Sequence, residues 1–390
     1  MIIAKRVQHI SASPTLAITA LVNKMKKEGK DVISFAAGEP DFDTPKHIKQ
    51  AAINAINQGF TKYTTTSGII ELKLAICEKF KKDNNLIYKP ENILVSNGAK
   101  QSLYNLIQVL VNPNDEVLIQ IPYWVSYEEM VKLAEGKCIF LKPNKQLKIT
   151  ADQIEKAITP KTKVLILNSP SNPTGAVYDK NELEEIAQVC VKHNILVISD
   201  EIYEKLIYGK KHYSIASFNR EINKLTVVVN GASKSYAMTG WRIGYCAGPK
   251  EIIDAASSLQ DHSTSNANSI AQKAALAALT GSEDCIQEMA REYKKRRDYM
   301  IPRLRAIKGI SVEMPDGAFY VFADVSKLYN KEVCDSISFC TDFLKQFFVG
   351  CIPGSAFGDD RYIRISFATS LENIKKGLQR LEKFAKILRN

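Results

Sequence analysis

The chain has 390 residues, 45% of them hydrophobic and 24% charged, with a formal net charge of +11. This is the balance of a soluble globular protein long enough for two domains, and it excludes extended disorder. Apolar runs such as VLIL (164–167) and LTVVV (225–229) fall far short of the ~20 residues that cross a bilayer; with no signal-peptide pattern at the N-terminus, the cytoplasm is the expected compartment and no membrane contact is expected.

In chain order, strands and helices alternate. KHIKQAAINAINQ (46–58) and IIELKLAICEKFKKD (69–83) place apolar residues at helical spacing, and NILVSNG (92–98) is a short strand running into a glycine turn. AKQSLYNLIQVLV (99–111) is a helix, DEVLIQIP (115–122) and KVLILNSP (163–170) are strands, and NELEEIAQVCVKHN (181–194) is a helix. Strands ILVISDE (195–201), LTVVVNG (225–231) and RIGYCAG (242–248) follow, then a long helical region over 251–307. The remainder reads as a strand region broken at Asp316-Gly317, a helix, strand RYIRISFA and helix LENIKKGLQRLEKFAKIL. The pattern is α/β with a mostly parallel sheet and a smaller α+β lobe, whose sheet is expected to receive residues from the N-terminal segment.

The positive charge gathers in NKMKKEGK (23–30), KFKKDNN (79–85) and REYKKRRDYM (291–300). With acids interleaved and no helix-turn-helix, zinc-finger or aromatic RNA-binding pattern, these read as solvated surface, and no nucleic-acid partner is expected. Eight scattered cysteines lack a C-x-x-C pair and five histidines lack ligand spacing, so no metal is expected.

Chemistry collects where strands end. SNGAKQ (96–101) opens a helix whose free N–H groups suit a phosphate. PYWVSY (122–127) offers Tyr123 and Trp124 as stacking faces, and NSPSNPTG (168–175) offers the amides of Asn168 and Asn172. Asp200 follows directly on a buried strand, where a carboxylate costs several kcal/mol unless it meets a cation. Arg242 or a protonated ring nitrogen are the two partners considered for it. Lys234, in ASKSYAMTGWRIGY (232–245), stands just past strand 225–231, at the sheet edge where open α/β sheets collect ligands.

Together with AAGEPDFDTP (36–45), KYTTTSGI (62–69) and RYIRISFAT (361–369), these motifs resemble, nearly end to end, the class I aminotransferases: pyridoxal 5'-phosphate (PLP) enzymes of fold type I, and among them the bacterial aspartate and aspartate/prephenate branch. The resemblance implies an N-terminal arm with part of the small domain over 1–45, a large PLP-binding domain over 46–280, and an interdomain helix with the C-terminal small domain over 281–390. It implies that Lys234 carries the cofactor as a Schiff base and serves as the base, and that Asp200 pairs with the pyridine nitrogen. Tyr203 and Asn172 would bond the ring oxygen and Trp124 would stack on the ring. The phosphate would meet Ala99, Lys100, Ser233, Arg242 and, from the other subunit of a homodimer, Tyr63. Arg364 would clamp the substrate α-carboxylate, with Gly38 allowing close approach and Lys100, Trp124 and Asn172 completing the substrate site.

The implied reaction moves the amino group of L-aspartate to 2-oxoglutarate by a ping-pong mechanism. Two departures stand out: Gly231 replaces a serine found in many relatives, and LQDHSTSNAN (259–268) lacks the arginine that animal-type enzymes use for the distal carboxylate, leaving Lys100 as the candidate. Some prephenate-active relatives carry a basic residue where this chain has Ser11. Prephenate, aromatic or alanine donors, a PLP-dependent lyase, and a ligand-sensing regulator are the alternatives.

Overall fold

Seven runs rich in Val, Ile and Leu build the central sheet of the computed structural model, which describes residues 3–8, 10–11 and 14–389. After β1 (Ile33–Ser34), which pairs elsewhere, they are β2 (Ile93–Ser96), β3 (Glu116–Gln120), β4 (Lys137–Leu141), β5 (Thr162–Asn168), β6 (Leu196–Asp200), β7 (Thr226–Gly231) and β8 (Gly244–Ala247). Their spatial order is β2-β8-β7-β6-β5-β3-β4. All pairings are parallel except those of β8, which runs antiparallel between β2 and β7. Strands covered on both faces need apolar residues at every position. Val117, Ile119, Val164 and Ile166 therefore fill one layer, and Leu118, Leu165 and Leu167 the layer behind.

Edge strand β4 and the helix Ser126–Leu133 before it escape sequence reading, because the half-exposed KCIFL has neither continuous apolar character nor strict alternation. The helical region after 250 resolves into Lys250–Asp261, Ser269–Thr280 and Asp284–Ala306. No helix among the described residues is long and apolar enough to cross a membrane.

A four-stranded antiparallel sheet follows, from β9 (Ser311–Val312), β10 (Tyr320–Asp324), β12 (Ile352–Pro353) and β13 (Tyr362–Ser366), in the order β12-β13-β10-β9. The expected N-terminal contribution takes a different form. β1 pairs in parallel with β11 (Val349–Gly350) as a separate two-stranded unit, and the Phe35 carbonyl then accepts from the Ser366 N–H at 2.8 Å.

The reading of the basic clusters as solvated surface needs correction at three residues. Arg296 and Arg297 are only 7% and 6% exposed and Lys79 only 9%. Helical periodicity explains the first two: Tyr293, Arg296, Arg297, Met300 and Leu304 all fall on the buried side of Asp284–Ala306, while Lys294 and Lys295 face water.

Candidate active site

The C-terminal ends of β5, β6 and β7 deliver Asn168, Asp200 and, three residues past Gly231, Lys234 to one cavity of about 660 Å³. Gly38, Ala99, Lys100, Trp124, Asn172, Tyr203, Ser233, Arg242 and Arg364 line the same cavity. Of the candidate ligand-binding residues singled out in the sequence, Tyr63 and Tyr123 lie apart from it: Tyr63 is 92% exposed on the surface of the single chain, and Tyr123, offered as a stacking face, is instead buried against Phe140 and donates to Glu128.

Lys234 donates from Nζ to the Gly38 carbonyl at 2.6 Å and sits 5.8 Å from the Tyr203 ring centre. Burial against these walls pushes its pKa down to about 8; Glu39 pulls it up, while Arg364 and Arg242 push it further down. An amine so placed is neutral in about a tenth to a fifth of molecules near physiological pH, far more than an ordinary lysine, and that fraction is nucleophilic and able to take a proton.

Asp200 is 4% exposed, and burial raises its carboxyl to about 6 against the opposing hydrogen bonds from Tyr127 and the Ile202 N–H. Those donors lie at 2.6 and 3.2 Å. Among the described residues no cation lies within salt-bridge distance of this carboxylate, and Lys234 acts on it only weakly from farther away. Arg242, one of the two partners considered for it, instead donates to the carbonyls of Thr239 and Asn97, at 3.0 and 3.3 Å. A buried carboxylate facing a cavity without a cationic partner suits a ligand that brings its own protonated nitrogen.

The helix Ala99–Leu110 starts after Gly98, whose φ of 82° is open to glycine, and has no side-chain cap. A Cβ at Gly98 would meet the Arg242 guanidinium at 2.5 Å, so the absent side chain is what lets arginine and helix N-terminus converge. The result is an anion cradle of backbone N–H groups and one guanidinium. Gly231 also has a packing reason: a Cβ there would lie 2.9 Å from Gly244 Cα and 3.0 Å from the Ile243 carbonyl. Ser233 lines the cavity nearby.

Arg364 is 2% exposed, between Tyr320 and Phe357 at 4.4 and 5.1 Å from their ring centres. Its Nη1 donates to Asn172 Oδ1 at 3.1 Å and its Nη2 to the Ala36 carbonyl at 2.9 Å, while Nε is buried without a partner among the described residues. Lys100 Nζ lies 4.9 Å over the Trp124 ring, its pKa lowered by burial and by Arg242.

Sequence reasoning passed over three participants. Tyr127 supplies the hydroxyl on Asp200, Tyr320 shares a 2.9 Å hydrogen bond with Tyr203 Oη, and Glu39 accepts from Thr239 Oγ1 at 2.7 Å. Only for Tyr127 was there a usable signal, its place in the aromatic run after β3. Behind Asp200, Glu201, Glu204 and His212 form a buried cluster. Lys79 pairs with Glu204, and Ser199, Ser214 and His212 serve Glu201, so its acceptors are engaged by the chain itself.

A carboxylate awaiting a cationic ring atom, an uncapped helix N-terminus beside an arginine, and a depressed lysine amine between them fit PLP. The family model for aminotransferase class I and II matches residues 30–381. An aspartate aminotransferase of Bacillus sp. (strain YM-2) is 50% identical over 99% of both chains, and an aspartate/prephenate aminotransferase of Nitrosomonas europaea is 47% identical over 98% of this chain and 99% of that one. The crystal structure of the Rhizobium meliloti aspartate aminotransferase matches with a TM-score of 0.95 at 41% identity over 99% of each chain. That of the Thermus thermophilus enzyme with maleate matches with 0.93 at 42%, over 98% of this chain and 99% of that one. The chain belongs to the class I and II aminotransferase family.

Proposed function

We propose that the protein transfers the amino group of L-aspartate to 2-oxoglutarate, giving oxaloacetate and L-glutamate by a ping-pong mechanism. Membership of the family makes PLP the cofactor and amino acids and 2-oxo acids the substrate class. The observation that carries the dicarboxylate reading is one cavity holding a depressed lysine amine together with two cations of different geometry, Arg364 and Lys100. The names of the Bacillus and Rhizobium relatives, and the maleate in the Thermus structure, support it.

When bound, PLP supplies an aldehyde carbon for the amino group and an electron-withdrawing ring for the electron pair left at Cα. Lys234 would hold the cofactor at its Nζ, and its amine, when free, is placed to take the proton from the substrate Cα. Asp200, kept in place by Tyr127, holds a proton on the ring nitrogen. Tyr203 and Asn172 would hydrogen-bond the ring oxygen, and Trp124 would stack on the ring. The N–H groups of Ala99 and Lys100, with Ser233, Arg242 and a second subunit's Tyr63, bind phosphate. Arg364 orients the α-carboxylate through its fork of donors, Gly38 leaves room for it, and Lys100 reads the distal carboxylate.

The 92% exposure of Tyr63 and the exposed Ile53, Ile56, Ile70 and Leu74 support a homodimer in which Tyr63 completes the partner site. An arm over 1–45, a large domain over 46–280 and a small domain over 281–390 belong to the same reading, as does a cytoplasmic location. The visible spectrum of the purified protein tests it. Yellow protein that bleaches with L-aspartate supports cofactor and donor together, yellow protein that responds only to another amino acid rejects the donor, and protein colourless after incubation with PLP rejects the whole.

A further inference from the structure

The KKRR run in helix Asp284–Ala306 hides a buried cation with a specific address. Arg296 Nη1 lies 2.8 and 2.9 Å from the two carboxylate oxygens of Asp41 and 3.4 Å from the Phe367 carbonyl, while its Nε donates to Glu292 at 3.0 Å. Tyr293 Oη donates to the same Asp41 carboxylate at 3.3 Å, and the guanidinium lies 5.5 Å from the ring centres of both Phe42 and Tyr293.

These contacts join two stretches that meet at the cavity. Asp41 and Phe42 end the segment whose Ala36 and Gly38 carbonyls accept from Arg364 and Lys234. Phe367 comes three residues after Arg364, and the two stretches are tied again by the Ser366 N–H on the Phe35 carbonyl. Neither Arg296 nor Asp41 lines the cavity. Arg296 is buried, whereas the Asp41 side chain keeps 28% of its surface exposed; an ion pair so placed adds little stability and is better suited to fixing an arrangement. Here the arrangement is the spacing of Gly38, Lys234 and Arg364.

We propose that Arg296 and Asp41 are a positioning pair for the α-carboxylate clamp, holding the 36–39 segment against Arg364 from outside the cavity. The inference rests on Arg364 reading the α-carboxylate and is indifferent to which amino acid carries it. Gly38 and Arg364 then depend on a contact whose loss moves both without removing either.

The test uses the holoenzyme and the variants Asp41→Asn, Arg296→Gln and Arg296→Lys, with single-turnover bleaching followed across concentrations of L-aspartate, L-glutamate, L-alanine and L-phenylalanine. For whichever donor the parent converts best, Asp41→Asn and Arg296→Gln raise the half-saturating concentration about tenfold with the maximal rate within about threefold, as displacement of a clamp predicts. Arg296→Lys recovers most of the loss. Hydrogen exchange quickens in 33–42 and 362–369 and stays unchanged in β5 to β7. Half-saturation within twofold of the parent in folded Asp41→Asn overturns the proposal, as does a loss confined to the maximal rate. A parent that prefers a donor other than aspartate corrects the substrate and leaves the pair testable on that donor; a parent that converts none removes the clamp and the proposal with it.

Discussion

Replacing Asp200 by asparagine should stabilise the cofactor-free protein, although it disables the enzyme. The carboxyl is pushed up from its ordinary 3.8 to about 6 in the folded chain, because burial outweighs the hydrogen bonds from Tyr127 and Ile202. Its folded pKa is the higher one, so the stability attached to it is full below about pH 4 and lost as pH rises through about 6. That difference corresponds to about 3 kcal/mol once the group is fully ionised. Asparagine has nearly the same shape, can accept from the Ile202 N–H, and carries no charge to desolvate. Denaturant unfolding of both proteins freed of PLP, from pH 5 to pH 8, should show the variant ahead by roughly half that amount at pH 5 and by about 3 kcal/mol at pH 8. A variant no more stable than the parent at pH 8, or a gap that does not widen between pH 5 and pH 7, would refute the view of Asp200 as an uncompensated buried anion. With PLP restored the order should reverse, and turnover should fall by about 10³-fold or more, as for loss of a charge aimed at the reacting system.

Arg364→Lys should lower kcat/KM for every amino donor by about 100-fold, since one ammonium cannot reproduce the planar fork; steady-state kinetics with aspartate and alanine would check it. Lys100→Ala should raise KM for aspartate about tenfold and leave KM for alanine within about twofold, because only the distal carboxylate loses a charged partner. Glu39→Gln removes a negative charge that holds the Lys234 pKa up; the rate of PLP uptake by the cofactor-free protein, which rises through about pH 8 in the parent, should have its midpoint at lower pH in the variant. Lys79→Ala should cost about 3–5 kcal/mol in denaturant unfolding at pH 7, because it strands the buried Glu204, whose carboxyl burial works to raise and Lys79 and His212 hold down at about 2.

The fold was legible wherever burial imposes a period. β5, β6 and β7 are covered on both sides and appear as unbroken apolar runs, and the terminal helix Leu371–Leu388 coincides with its apolar stripe. Strand β4 has one open edge and was missed, as was the helix Pro14–Lys27. Distance along the chain was the other obstacle. That β1 pairs with β11 is a contact over some three hundred residues, and nothing local in ISFAAG announces it.

The site was legible for a related reason. In a parallel sheet every strand ends on the same rim, so polar residues that break apolar runs at their C-terminal ends converge without any knowledge of tertiary contacts. Asp200 and Asn168 stand out because a core strand does not otherwise spend its last position on an acid or an amide. Tyr320 follows no such contrast, since a tyrosine whose hydroxyl serves Tyr203 has the same sequence signature as one that only packs, and Tyr127 is set apart only by its place in the aromatic run after β3. Arg296 is harder still, since its neighbours Lys294 and Lys295 are solvated cations and only the helical phase separates it from them. The residues that line the cavity are therefore marked by their chemistry. Those that hold them in place are marked by geometry alone, and substitutions there should shift half-saturation before they shift rate.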